Sequence, residues 1–149
     1  MTATNFKIVL TLFALLLAIP SFAGGVGYID YEKVLNECQF AKTTAREIET
    51  KAKEIEKYIE NKEDEFSKLE SPVQRQKLEV TVRNEMRTKE TAFNDFREKR
   101  EEAVYQRIHA VSEKIRLEKG LDAILDMRSV FSGGVDITEE LIKKLNNIN

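Results

Sequence analysis

The chain has 149 residues, of which 34% are charged, and its acidic and basic side chains nearly cancel to a formal net charge of −2. This balance argues against a nucleic-acid partner, because such proteins usually present a basic face. With no tryptophan, 6 glycines and 2 prolines, the composition favours long solvated helices over a turn-rich fold. The length suggests one domain, and the single cysteine, Cys38, excludes an internal disulfide.

Residues 1–23 have the pattern of a secretory signal peptide. Lys7 supplies a positive charge, and Ile8–Ile19 is a twelve-residue apolar run with one threonine in it. Small residues in Ser21-Phe22-Ala23 occupy the two positions that signal peptidase reads. A membrane anchor is the alternative, but a span needs roughly 20 apolar residues. We therefore expect an exported protein that is cleaved after Ala23.

The stretch from Tyr28 to Lys119 contains no glycine and a single proline, Pro72. So few chain breakers predict two long helices joined near Pro72, not an ordinary compact fold. The first helix carries an apolar seam whose steps alternate between three and four residues, which is the coiled-coil pattern. Lys62 is its one polar member. The seam comprises Tyr31, Val34, Cys38, Ala41, Ala45, Ile48, Ala52, Ile55, Ile59, Lys62, Phe66 and Leu69.

The bend between the helices is predicted at about residues 70–72. Ser71-Pro72-Val73-Gln74 has the form of a capping box with proline at the first helical position. One continuous rod kinked at Pro72 is the alternative. We expect the hairpin, because capping residues mark the start of a new helix.

The second helix is predicted from Pro72 to about Lys119, where Gly120 ends it. At 1.5 Å per residue the two arms reach roughly 58 and 70 Å, so they can lie antiparallel along most of their length. The second seam is looser, and Lys89 and Arg100 interrupt it. It comprises Leu78, Val82, Met86, Lys89, Phe93, Phe96, Arg100, Val104, Ile108, Val111 and Ile115.

The remaining segments, 24–30 and 120–149, are predicted to form a small β-rich base from which the hairpin 31–119 projects. Strands are expected at Val26–Ile29, at Leu121–Met127 and from Val130-Phe131, followed by a helix that Asp136 and its neighbours cap. Fewer than ~40 residues rarely fold alone without a disulfide, a metal or partner subunits. We therefore expect self-association through the strands, with these candidate oligomerisation residues: Val26, Tyr28, Ile29, Leu121, Ala123, Ile124, Leu125 and Met127.

No constellation of catalytic or metal-ligating residues stands out. The only histidine, His109, lies in mid-helix without a partner at catalytic spacing, and Cys38 reads as a small core residue. No phosphate-binding loop is present. We therefore predict no enzymatic activity, no cofactor and no metal.

Apolar side chains near the tip and along the second arm are the candidate binding residues for clients. They can pack the two helices together, which is the plainer interpretation, or some of them can face a partner and bind many sequences loosely. The candidates are Phe66, Leu69, Met86, Phe93 and Phe96.

These parts together resemble the Skp/OmpH family of periplasmic chaperones, over nearly the whole chain after residue 23. The most specific part is the closing segment, Gly120–Asp126 followed by Val135–Asn146. The strand that ends at Tyr28-Ile29-Asp30, with Tyr31–Leu35 after it, also matches. The helical middle carries less information, because many coiled coils share it.

The resemblance implies a homotrimer in the periplasm, in which three bases form a hub and three helical tentacles enclose a cavity. It implies an ATP-independent holdase for unfolded outer-membrane proteins, with only indirect membrane contact through these clients. The best-known family members are strongly basic, whereas residues 41–119 hold 19 basic and 18 acidic side chains. Electrostatic capture of clients should therefore be weaker here, and no lipopolysaccharide site is inferred.

Two other functions stay open at this point. A structural spacer or assembly protein of the cell envelope, with one folded partner, would use the same coiled coil. The polar residues Lys62, Lys89 and Arg100 count against a tight seam of that kind. An enzyme or an enzyme subunit is the third possibility, and no motif in the chain favours it.

Overall fold

The computed structural model describes residues 24–148, and the predicted signal peptide lies outside this range. In that range no helix combines the length and the apolar character needed to cross a membrane. The predicted fold, mainly α with a small β part, is confirmed. Its elements are β1 (Gly25–Ile29), α1 (Tyr31–Glu37), α2 (Gln39–Ser67), α3 (Pro72–Glu118), β2 (Leu121–Asp126), a 3-10 turn (Met127–Ser129), β3 (Val135–Asp136) and α4 (Thr138–Asn146).

Helices α2 and α3 form the hairpin. Contacts between Glu47 and Arg100 and between Tyr58 and Lys89 show that the two helices run antiparallel. At 1.5 Å per residue α2 is ~43 Å long and α3 is ~70 Å long. The longer helix therefore continues past the start of α2 and reaches the sheet and α4.

The turn between the arms is held by Arg75 and not by the predicted capping box. Ser71 precedes α3, but its side chain makes no capping hydrogen bond, so the capping-box prediction is wrong. The Arg75 Nε instead donates across the turn to the Leu69 carbonyl at 2.7 Å, and the Arg75 amide donates to the Ser71 carbonyl at 3.0 Å.

A break at Cys38 divides the predicted first helix into α1 and α2, so the prediction of one continuous helix from Tyr31 is wrong. Cys38 has extended backbone angles, φ −72° and ψ 119°. The side chain of Asn146, from α4, bridges the break. Its Oδ1 accepts the Gln39 amide at 2.8 Å, and its Nδ2 donates to the Glu37 carbonyl at 3.1 Å.

The sheet is parallel, in the order β2-β1-β3. Its central strand, β1, lies close to its neighbour, because a Cβ on Gly27 would come within 2.8 Å of the Leu121 side chain. The third strand predicted from Val130-Phe131 is wrong. It forms later, at Val135–Asp136, after Gly133 and Gly134 turn the chain at φ 80° and 91°.

One hydrophobic core lies where the hairpin meets the sheet. Val34 of α1, Ile115 of α3 and Leu141 of α4 are each 0% exposed. Burying one such side chain contributes about 1.5–3 kcal/mol. The core therefore joins the root of the hairpin to the sheet and to α4. Its members are Ile29, Val34, Cys38, Ala41, Val104, Ile108, Val111, Ile115, Leu121, Ile137, Leu141, Ile142 and Leu145.

Two aspartates link the ends of the chain. Asp30 caps α1 as expected, because its Oδ1 accepts the Lys33 amide at 2.9 Å. Asp136 accepts the amide of Thr138 at 2.9 Å and its hydroxyl at 2.6 Å. The Thr138 hydroxyl oxygen in turn accepts the Asp30 amide at 3.0 Å. The start of α4 is thereby fastened to the end of β1.

The Asp136 carboxylate should make stability depend on pH. The side-chain hydrogen bond from Thr138, then the backbone bond, lowers the pKa of Asp136 below its ordinary 3.8. A lowered pKa contributes stability above pH 3.8 that is lost as pH falls through the folded value. In urea unfolding from pH 7 to pH 3, Asp136→Asn should be the less stable protein at pH 7, and the difference should shrink on acidification. Asp95→Asn, at an exposed site, is the control; a constant difference would contradict this assignment.

The Asn146 bridge should stabilise the helix break. Asn146→Ala removes two hydrogen bonds and should lower the free energy of unfolding by about 1 kcal/mol. Asn147→Ala, the neighbouring exposed asparagine, is the matched control and should change it little. Urea unfolding followed by circular dichroism measures both. Equal stability of the two variants would show that Asn146 does not hold the break.

Candidate binding surfaces of the hairpin and the base

The seam of α3 is observed as predicted. All eleven of its positions are buried or half-buried, from Leu78 to Ile115. The seam of α2 departs from the prediction at three positions, because Ala45, Ile59 and Phe66 are exposed. Beside Ala45, Thr44 is buried instead (3% exposed). The break at Cys38 explains this exchange of Thr44 for Ala45, since α2 starts a new helix whose phase is independent of α1.

The polar seam residues contact aromatic rings, Lys89 from the opposite arm and Lys62 from the same helix as Tyr58. The Lys89 Nζ lies 4.5 Å from the centroid of the Tyr58 ring, and the Lys62 Nζ lies 5.9 Å from it. The Tyr58 hydroxyl donates to Glu85, and mainly this bond raises the pKa of Tyr58 to about 12. Such cation–π contacts contribute about 0.5–1 kcal/mol at exposed sites.

A second polar layer lies nearer the root. Arg100 pairs with Glu47 of α2, and its guanidinium lies 6.0 Å from the Phe40 ring centroid. The Arg107 guanidinium lies 4.6 Å from the same ring centroid. The arms are thus joined by alternating polar and apolar layers, and the spaces between layers remain open as grooves.

The tip groove is an open cavity of about 430 Å³ between the two arms, close to the turn. Apolar side chains line it, and lysine, arginine and glutamate side chains form its rim. Phe66 is 41% exposed within it, and the Arg75 guanidinium lies 5.6 Å from its ring centroid. The lining residues are Ile59, Lys62, Glu63, Phe66, Ser67, Leu78, Glu79, Val82 and Arg83.

The mid-arm groove has a volume of about 330 Å³ and lies further toward the root. Phe93 and Phe96 of α3 form one wall and Ile55 of α2 forms the other. Lys51, Glu54 and Lys89 surround the opening. The groove therefore combines an aromatic wall with charges of both signs at its rim.

The structure brings some of the five candidate client-binding residues together and separates others. Phe93 and Phe96 share the mid-arm groove, and Phe66 lines the tip groove. Leu69 is half-buried in the turn, and Met86 is half-buried on the seam; neither lines these two grooves.

The candidate list left out several groove residues: Ile55, Ile59, Leu78 and Val82. Each of them was already on a predicted seam. Pairing the residues of the two seams outward from the turn could have predicted that these four lie opposite one another.

The sheet divides the candidate oligomerisation residues between its two faces. Ile29, Leu121 and Ile124 face the helices, and the first two are 8% and 6% exposed. Ile29 and Leu121 belong to the buried core of the chain itself, and the half-buried Ile124 packs against that core. The opposite face, which we call the outer face, carries Val26, Tyr28, Ala123 and Leu125, and Met127 follows at its end.

The outer face is exposed and apolar. Val26 is 38% exposed, Leu125 41% and Met127 45%. Phe131 and Val135, which were not among the candidates, are 105% and 46% exposed in the same part of the chain. They were not predicted to be exposed here, because the third strand was expected to start at Val130-Phe131, whereas it forms at Val135–Asp136.

Residues that could carry chemistry are scattered. His109 is exposed on α3 and stacks on Tyr105 at 6.0 Å between ring centroids. Cys38 is 1% exposed in the core. Between residues 24 and 148 there is no group of three histidine, cysteine, aspartate or glutamate side chains that could hold a metal ion.

A long helical hairpin rooted in a small parallel sheet, with open grooves between its arms, is the class of protein that these features define. The model of the outer membrane protein (OmpH-like) family matches residues 25–145. The chain therefore belongs to the OmpH-like family. No curated protein matches it in a sequence comparison.

A solved structure shares the fold. It is the crystal structure of an OmpH-like protein from Caulobacter crescentus CB15 that is described as a candidate outer membrane chaperone. The two chains superpose with a TM-score of 0.58 over 83% of this chain and 84% of the other, at 11% sequence identity. At this identity the likeness shows the fold alone.

The Tyr58 ring should matter more to the hairpin than its hydroxyl. Tyr58→Phe keeps the ring face for Lys62 and Lys89, so we expect a loss of less than about 1 kcal/mol in the free energy of unfolding. Tyr58→Ala removes the ring and its packing, and we expect a loss of about 2 kcal/mol. Urea unfolding distinguishes the two. Equal losses would mean that the bond to Glu85 carries the contact.

Proposed function

We propose that the chain is an ATP-independent periplasmic holdase chaperone that binds unfolded outer-membrane or other exported proteins. The observation that carries the proposal is the pair of apolar grooves along a seam that the arms leave half-open. Membership of the OmpH-like family and the predicted signal peptide support it. An exported protein also has no ATP to use outside the cytoplasm.

The grooves suit segments of unfolded chains. Each offers aromatic and aliphatic surface to an apolar side chain of the client, at about 25 cal/mol per Å² buried. The charged rims remain solvated, so the surface can stay exposed without a client. Several weak contacts along the hairpin would keep a client bound while its individual segments enter and leave the grooves. These contacts would also keep the apolar segments of the client away from other unfolded chains.

Apolar contact, more than charge, should determine client binding. Residues 41–119 hold 19 basic and 18 acidic side chains, so the arms carry little net charge. Long-range attraction of acidic clients is correspondingly weak. Binding should therefore depend little on salt concentration.

The outer face of the sheet supports self-association, and we propose a homotrimer. Parallel sheets are normally covered on both faces, whereas here the helices cover one face and leave Val26, Leu125 and Met127 exposed on the other. Copies of the same sheet could cover one another and form a hub. Three hairpins would then project from the hub and surround a client, with membrane contact only through that client.

Light scattering tests the holdase proposal. A urea-unfolded outer-membrane β-barrel protein is diluted into buffer with and without the purified chain, in the absence of ATP. We expect suppression of scattering near one oligomer per client. The double variant Phe66→Ser, Phe93→Ser should need about 10-fold more protein for half suppression, because each exchange removes an apolar contact.

The matched control is Val73→Ser, which replaces a side chain that is 74% exposed beside the turn but outside the grooves. It should leave half suppression unchanged. If the folded wild-type chain suppresses no scattering with several clients, the holdase proposal fails and a structural spacer with one folded partner becomes the better hypothesis. Equal effects of the two variants would show that the grooves do not bind the client.

A further inference from the structure

The mid-arm groove continues toward the root of the hairpin into a second cavity. This cavity, which we call the root-side cavity, has a volume of about 370 Å³. Lys51 and Phe96 line both cavities, so the two are parts of one groove between the arms, which we call the long groove. The root-side cavity is lined by Thr43, Arg46, Glu47, Thr50, Lys51 and Phe96.

The two ends of the long groove differ in chemistry. At the end nearer the tip, Ile55 and Phe93 supply aliphatic and aromatic surface. At the end nearer the root, the lining side chains of Thr43, Arg46 and Thr50 are polar, and all three residues are exposed. A chain that lies along the groove would therefore meet an apolar surface at one end and a polar surface at the other.

The polar end of the long groove has one uncompensated charge, on Arg46. The other charged side chains of the groove are each engaged by a neighbour. These contacts are Lys51 with Glu54, Glu47 with Arg100, and Lys89 with the Tyr58 ring. Within residues 24–148 Arg46 makes no ion pair. Its guanidinium therefore complements a carboxylate of the occupant, which it can bind through two parallel hydrogen bonds.

The length of the long groove fits an extended segment of a client. Ile55 and Arg46 are nine residues apart on α2, which corresponds to ~13.5 Å at 1.5 Å per residue. An extended chain rises ~3.3 Å per residue, so a separation of four residues covers the same distance. Residues i and i+4 of an extended chain point to the same side, so both side chains can enter the groove at once.

We propose that the long groove binds an extended client segment in which a large apolar or aromatic side chain stands four residues from an acidic one. The apolar side chain would pack against Phe93 and Phe96, and the carboxylate would pair with Arg46. This inference rests on the proposed holdase function and names the class of segment that the mid-arm groove takes.

Unfolded outer-membrane β-barrel proteins can supply such segments. Their strands carry aromatic residues at both edges of the membrane-facing apolar band, with turns or loops beyond them. An acidic residue in such a turn or loop would lie a few residues from the aromatic one. A single ion pair selects among segments of a client, whereas apolar contact still provides most of the binding.

Fluorescence anisotropy with labelled ten-residue peptides tests this selection. The peptides have blocked ends and an otherwise uncharged serine and threonine sequence. One carries Phe and Asp four residues apart, and its partner carries Asn in place of Asp. The wild-type chain should bind the Asp peptide about 3- to 5-fold more tightly, which is the size of an exposed ion pair. With Asp three residues from Phe the preference should vanish, because the two side chains then point to opposite sides.

Arg46→Gln should bring the ratio of the two affinities to about one. Arg87→Gln, at an exposed site on α3 that lines none of these grooves, is the matched control and should keep the wild-type ratio. Circular dichroism checks that both variants keep their helicity. A ratio of one in the wild-type chain, or a preference that survives Arg46→Gln, would overturn this inference.

A photo-crosslinker in the peptide provides a second readout that needs no variant. With p-benzoylphenylalanine in place of Phe in the Asp peptide, mass spectrometry should find cross-links to residues 51–55 or 89–96. Cross-links confined to the tip groove or the base would contradict the inference. If neither peptide binds to a chain that still suppresses scattering, the inference fails and the proposed function stands. If the chain suppresses no scattering either, both fail.

Discussion

The packing of Val34, Ile115 and Leu141 at the root of the hairpin is the contact on which the rest of the structure depends. These side chains come from α1, α3 and α4, and all three are fully buried. Without this core, the sheet would consist of three short strands with one close approach of β1 to β2 at Gly27. Such a small unit does not fold independently. The core also sets the direction in which both arms leave the base, since α3 runs through it without interruption.

Beyond that core, much less buried apolar surface holds the two arms together. Each buried residue of α3 lies between Val104 and Ile115, and the seam from Leu78 to Arg100 is only half-buried. Two polar and aromatic layers, at Tyr58–Lys89 and at Phe40–Arg100, replace part of the apolar contact. A hairpin with this gradient is firmly anchored at one end and keeps accessible apolar surface along the other. That combination suits a protein that holds unfolded chains without ATP.

Much of this architecture could be predicted from the residues, because period and cap chemistry are local signals. The seam of α3, the cap at Asp30 and the end of α3 at Gly120, where φ is 64°, all follow from short-range patterns. The break at Cys38 could not be predicted in this way. Its partner is Asn146, 107 residues from Gln39, and only the folded chain brings them together.

Two further errors have similar causes. In place of the predicted capping box at Ser71, the Arg75 side chain donates a hydrogen bond to the Leu69 carbonyl. Arg75 lies in the first turn of α3, from which its long side chain reaches back to the bend between the arms. The β-prone pair Val130-Phe131 finds no partner strand, because Gly133 and Gly134 place the pairing segment at Val135. The grooves were only partly predicted, since each groove has residues from both arms. Whether these residues pack together or bind a partner depends on how closely the arms approach.

Hydrogen exchange along the chain, with and without an unfolded outer-membrane protein, tests most directly whether a firmly rooted hairpin holds clients in its open seam. Amides from Val104 to Ile115 and from Leu141 to Leu145 should exchange slowest in the free chain, and those from Ile48 to Phe66 and from Leu78 to Phe96 faster. The client should slow exchange in the second set and leave the first unchanged. Uniform exchange along both arms, or protection confined to the base when the client is added, would contradict this view of the protein.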